Sequence, residues 1–219
     1  MNKKKKTTYL LTLFLLSVTI YSCGQTSGTK TIDGLVINPQ IKFEAEKNIK
    51  DIKDFEKVNQ GFQIFENMVT MEFYENDSLI LSTQDNPKSI MFKSFYLWSG
   101  DTLVIDGAIG LFGGGGFSVQ IVNNKATVYH MLSSDDFPTY AYGEKTKLLD
   151  RLEVPCNDVK VILSEIPTKD KSNVIYGYVE FKSDNYFTSQ GTTDGKEFKP
   201  RTKSRSNMKM YFRSGEVRI

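Results

Sequence analysis

His130 is the only histidine of the chain, so any Ser-His-Asp or Cys-His system must use it, and a multi-histidine zinc site is excluded. It shares strand parity with Val128 and Leu132, which reads as a hydrogen-bonded core histidine before a general base. Asp135 and Asp136 follow in a Ser-Ser-Asp-Asp turn with no calcium-loop pattern around them. A carboxylate pair for glycoside hydrolysis could be drawn from Asp101, Asp106, Asp136 or Glu180, and no spacing selects two of the four. Cys156 follows Pro155 with no basic residue immediately beside it to lower its pKa, so it reads as a small buried hydrophobe before a nucleophile. On these residues no catalytic group, metal ligand or cofactor is assigned. The chain is expected to bind or scaffold rather than to catalyse, with a glycan-directed hydrolase using carboxylates as the alternative.

Gly113-Gly114-Gly115-Gly116 is the most unusual internal motif. Phe117-Ser118 follows it where a phosphate-binding loop needs Lys and then Ser or Thr, and Val119 and Ile121 continue a strand where a dinucleotide fingerprint needs a helix. The run is therefore a permissive hairpin loop or bulge, or a backbone that a ligand or protein partner approaches closely. In the second case Phe112 and Phe117 are expected to form apolar lips, and the edge could serve an assembly or inhibitor protein that docks on one partner. A second candidate surface is basic. Lys196, Lys199, Arg201, Lys203, Arg205, Lys209, Arg213 and Arg218 stand near the C-terminus against only Glu197 and Glu216. Arg201, Lys203 and Arg205 at its centre could hold an anionic glycan, lipid headgroups or an acidic envelope protein; a solvated basic loop is the plainer reading.

The elements that must position these residues are mostly strands. Val69, Met71 and Phe73 alternate with polar neighbours, and Asn76-Asp77 turns the chain into Leu79 to Leu81. Alternation predicts further strands at about Ile90–Trp98, Thr102–Ile109, Phe117–Val122, Ala126–Leu132, Val159–Leu163, Val174–Phe181 and Met208–Phe212, and a first short one at Gly34–Ile37. All six prolines are expected between elements. One amphipathic helix is predicted over Phe43–Asn59, where Ala45, Ile49, Ile52, Phe55 and Val58 recur at three- and four-residue spacing. Thr188–Arg205 has no apolar period and should be the least ordered stretch. The expected fold is mainly β, an antiparallel β-sandwich or barrel-like sheet covered by one N-terminal helix, forming a single domain over residues 33–219.

The remaining information lies at the N-terminus. Lys3 to Lys6 precede the apolar run Leu10–Ile20, which is too short to span a bilayer, and the small residue Ser22 stands before Cys23. This order resembles a bacterial lipoprotein signal. The resemblance covers about the first 25 residues, with Ile20 and Tyr21 where Leu and a smaller residue are usual. It implies a signal peptide over residues 1–22, a lipid on Cys23 and a flexible tether over 23–32. Cleavage as an ordinary secreted protein is the competing route, and both place the mature chain outside the cytoplasm. Resemblance to lipoproteins of two-membrane bacteria, with no Asp after Cys23, implies the outer membrane, facing the periplasm. The whole chain carries 28 basic and 26 acidic residues, net +2, and residues 1–22 hold four of the Lys and no acid. Cleavage would leave 24 basic against 26 acidic residues, a balance that argues against a nucleic-acid partner.

Overall fold

The structure is a computed structural model describing residues 30–32, 34–52, 61–85, 88–109, 114–193, 196–197 and 199–218. The protein is mainly β, with one short helix among the described residues. The strands are β1 (Lys30–Ile32), β2 (Leu35–Ile37), β3 (Ile49–Asp51), β4 (Gln63–Glu75), β5 (Ser78–Ser82), β6 (Lys88–Ser99), β7 (Thr102–Ile109), β8 (Gly114–Val122), β9 (Lys125–Ser133), β10 (Tyr140–Ala141), β11 (Arg151–Leu163), β12 (Ile175–Ser183), β13 (Tyr186–Thr188), β14 (Thr192–Thr193), β15 (Lys196–Glu197) and β16 (Thr202–Glu216). Fourteen of them form one hydrogen-bonded sheet, and β14 with β15 makes a separate two-stranded ladder.

Eight strands of the large sheet form a closed circuit of pairings. β4, β6, β7, β8 and β9 follow one another as antiparallel neighbours. β9 then pairs β11, β11 pairs β12, β12 pairs β16, and β16 returns to β4. The circuit closes because long strands change partner along their length. Gln63–Val69 of β4 lies against β6, whereas Thr70–Glu75 lies against β16. β11 pairs β9 over Arg151–Pro155 and β12 from Cys156 onward. Pro155 thus lies inside a strand, contrary to the expectation that all prolines fall between elements. It stands at the residue where the partner changes, and a missing N–H is tolerated at such an interrupted ladder.

Local chemistry explains the turns. Asn76-Asp77 and Asn123-Asn124 have φ of 47°, 66°, 50° and 63°, the two positive values that a type I′ hairpin needs and that Asn and Asp tolerate. The helix α1 (Ile41–Asn48) is shorter than the 43–59 segment expected. Ile41 and Ala45 bury its inner face, and Phe43 is exposed. The Asn48 side chain donates to the Glu44 carbonyl at 2.8 Å, and Ile49 turns extended and opens β3. Ile49, buried on β3, continues the three- and four-residue apolar spacing past that point. Residues 53–60 of the expected helix lie outside the described residues.

Inward-facing side chains of the circuit build the core. Phe65, Phe92, Phe117 and Phe212 are fully buried, with ring centroids in sequence 5.4, 6.0 and 5.3 Å apart. Gly107 makes room for this row, since a Cβ there would lie 2.6 Å from both the Phe92 and Phe117 rings. Phe117 is therefore a centre of the core and not the exposed lip expected from the sequence.

Candidate functional site

The glycine run opens β8. Gly114, Gly115 and Gly116 are described; Phe112 and Gly113 lie outside the described residues, as does Cys23. Gly114 has φ +104°, a conformation in which a side chain is strained, and a Cβ on Gly116 would meet the Gly107 carbonyl oxygen at 2.0 Å, so Gly116 has no room for one. The backbone is bare on both faces here, and a cavity lies against each face.

The inner cavity, of about 470 Å³, sits where the closed circuit opens between β4, β8, β9 and β16. Met71, Phe73, Ile109, Leu132, Tyr186 and Met208 supply most of its apolar wall. Its buried polar groups are already matched: the Tyr186 hydroxyl and Ser206 Oγ are 3.2 Å apart. Burial pushes the Tyr186 phenol up to about 12, so it is neutral. The volume is within the range of small-molecule sites, which favour such mouths.

The outer cavity, of about 270 Å³, lies on the solvent face of β6, β7, β8 and β9. Strand register places Phe95, Asp106 and Ser118 in one cross-strand row there, with Lys93, Ala108 and Gly116 in the next. Asp106 is the exceptional residue. Burial raises its carboxyl above the ordinary value, Ser118 partly offsets this by hydrogen bonding, and Oδ1 is sealed without a hydrogen-bond partner. An unmatched buried oxygen of this kind costs stability and requires an explanation. Arg151, at the end of β11, is exposed on the rim and forms no ion pair among the described residues.

His130 lines the inner cavity, behind the glycine strand. It is 3% exposed, and its Nδ1–H donates to the Gly116 carbonyl at 2.8 Å. Burial lowers its pKa to about 4. The imidazole is neutral at pH 7 and buttresses the glycine strand. Its titration has a signed consequence. The unfolded chain binds this proton near pH 6.5 and the folded chain only near pH 4. Stability from this group is complete above pH 6.5 and is lost as pH falls towards 4, by at most about 1.4 kcal/mol per pH unit. Urea midpoints measured between pH 7 and 4 should fall accordingly, and His130→Gln should flatten the dependence. An equal slope in the variant would reject the assignment.

The other candidates for chemistry do not converge. Cys156 is pushed up to about 12 by burial and is a thiol at neutral pH. Lys169 holds the exposed Asp101 carboxylate low at 2.7 Å. Burial works to raise Glu180, but hydrogen bonds from Lys209 and Tyr178 leave it low. Asp106 faces outward from β7 and Glu180 outward from β12, on strands separated in the circuit by three others in either direction. Among the described residues, no three of His, Cys, Asp and Glu form a group able to hold a metal.

The basic C-terminal segment is arranged differently from an open binding surface. Arg201 makes a bidentate pair with Glu197 at 2.7–3.0 Å, and its other nitrogen donates to the carbonyls of Gly143 and Thr146. Lys203 pairs Asp77 at 3.1 Å, and the Arg205 guanidinium stacks 3.7 Å from the centroid of the Tyr74 ring. Lys209, Arg213 and Arg218 pair Glu180, Asp51 and Glu216. The 188–205 stretch, expected to be least ordered, carries β14, β15 and the start of β16 in its described part. No helix of the described residues is long and apolar enough to cross a membrane. Compared with protein-family models, with curated proteins and with solved structures, the chain gives no match.

Proposed function

We propose that the protein is a lipid-anchored component of the bacterial cell envelope, held by Cys23 on the outer membrane and facing the periplasm, whose barrel-like domain binds its ligand without transforming it. The anchor rests on the sequence order Lys3–Lys6, Leu10–Ile20, Ser22, Cys23. The binding reading is carried by one observation: the bare glycine edge of β8 lies between two cavities. Chemistry is disfavoured there by the neutral, sealed His130 and by the separation of Asp106 from Glu180 across the circuit.

Location is tested first. Natively expressed protein and its Cys23→Ala variant are compared by intact mass and by membrane fractionation. The expected result is a lipid-sized mass gain and membrane association, both lost in the variant. Two soluble proteins of unmodified mass would remove the anchor.

A further inference from the structure

Glu75 ends β4 and faces the inner cavity with Phe73 and Met71 of the same strand face. Further along that face stand Val69 and Phe65, both fully buried, so the half-buried carboxylate marks the outer end of the space and the apolar wall its depth. Among the described residues Glu75 has neither a hydrogen bond nor an ion pair. The segment of β16 that pairs with it brings no free cation, because Lys203 is on Asp77 and Arg205 on the Tyr74 ring, and Arg201 just before it is on Glu197. Glu72, the other acid of this cavity, already accepts from the Tyr74 hydroxyl at 2.9 Å and the Asn207 amide at 2.7 Å. We propose that the inner cavity binds one small organic cation, its hydrocarbon body among Phe73, Leu132 and Met208 and its ammonium group at Glu75.

Each part of that ligand answers a different feature. Tyr186 and Ser206 satisfy each other, so the depth of the cavity asks its occupant for apolar surface. At the rim a neutral hydrocarbon would cover the Glu75 carboxylate and leave it without a partner, and an anion would meet it with like charge. An ammonium supplies both the opposite charge and the donors. Glu75 lies within electrostatic reach of Tyr186, whose phenol its charge helps to keep neutral, and the Tyr140 ring stands beside Tyr186 at 6.5 Å between centroids. A cation held at Glu75 would gain from the faces of these rings as well. The order of the parts is also selective, with charge at the rim and hydrocarbon beyond it. A lysine side chain of a docking protein carries its ammonium at the far end and would present the reverse order, so the cavity suits a free amine.

The proposal rests on the glycine edge being a binding site, and the experiment separates the two. Natively expressed full-length protein in phosphatidylcholine nanodiscs is titrated by calorimetry, against empty discs, with three probes that differ in one group: phenylbutylamine, phenylbutanol and phenylbutyrate. The expected result is one-to-one binding of the amine, about tenfold tighter than the alcohol, and no measurable binding of the carboxylate. Glu75→Gln should weaken the amine about tenfold, to the level of the alcohol, and leave the alcohol unchanged. Gly115→Leu, whose Cβ would start 3.3 Å from the His130 ring in the cavity wall, should abolish binding of both. Glu75 lies at a half-buried strand end, so its comparison stands whether or not Gly115→Leu folds. Equal affinity for amine and alcohol, or a Glu75→Gln variant that binds the amine as before, overturns the cation and leaves the glycine edge as a site for neutral ligands. Undiminished amine binding by folded Gly115→Leu, or binding of none of the three probes by the parent protein, overturns the inner cavity as a site.

Discussion

Replacing Phe117 by Ala is expected to destabilise the protein by about 3–5 kcal/mol, the cost of truncating a fully buried aromatic side chain in a core that cannot collapse around the hole. The hole would open between Phe92 and Phe212, whose rings Phe117 contacts at 6.0 and 5.3 Å centroid separation. Both neighbours are on different strands of the closed circuit, so neither can follow the missing ring without moving its own ladder. Urea unfolding of Phe117→Ala beside the parent protein measures the effect. A midpoint unchanged within error, with ligand binding reduced, would instead return Phe117 to the exposed lip of the glycine edge.

Arg201→Ala is expected to cost about 3 kcal/mol, towards the lower bound for breaking a buried pair because Glu197 remains about a quarter exposed. Arg201 itself is only 10% exposed and joins three segments: Glu197, the turn carbonyls at Gly143 and Thr146, and the entrance to β16. Its loss strands a carboxylate and two carbonyls at once. Lys203→Ala, which breaks a largely exposed pair with Asp77, should cost less than about 1 kcal/mol. Thermal unfolding of Arg201→Ala, Glu197→Gln and the double variant tests the coupling. Additive single effects would show that the pair is not the source of stability. If instead Arg201→Ala leaves the melting temperature unchanged and abolishes salt-sensitive binding to an anionic glycan, Arg201 is a binding residue.

Alternation and turn chemistry made much of the fold legible. Thr102–Ile109 falls on β7 with no residue to spare, and Asn76-Asp77 and Asn123-Asn124 turn where their tolerance of positive φ suggests. The helix was overextended because Ile49, buried on β3, keeps the apolar spacing of the helical face, so spacing alone could not end it. The first half of β11 was missed for a related reason. Residues 151–158 contain Pro155 and the polar pair Asn157-Asp158, which resemble a turn but mark a partner change and a bulge.

The site was legible only in outline. The glycine run identified a bare edge, but strand parity, which aligns Phe117 with Val119 and Ile121, was the signal that should have put Phe117 inside. Arg201, Lys203 and Arg205 form a basic cluster in one dimension. Their partners Gly143, Thr146, Asp77 and Tyr74 come from other strands and loops, and no spacing announces them. Asp106 was one of four undistinguished acids. Its outward position in mid-strand, between Ile105 and Gly107, was the available sign of a carboxylate with no turn to serve. Lys93, Phe95 and Arg151 were not singled out, because their proximity to Asp106 exists only once β6, β7 and β11 are in place.

The closed circuit also bears on when the chain can acquire this shape. β4 through β9 can form from neighbouring residues as a meander of successive hairpins. β16, the last strand of the described residues, is the one that joins β4 to β12, adds a short parallel contact to β6 and carries β13. Until Thr202–Glu216 has left the ribosome, the ladder edges of β4, β12 and β13 have no partner, and the aromatic row lacks Phe212. The circuit therefore stays open until β16 has emerged, and the chain that precedes it can still be threaded through a narrow conduit.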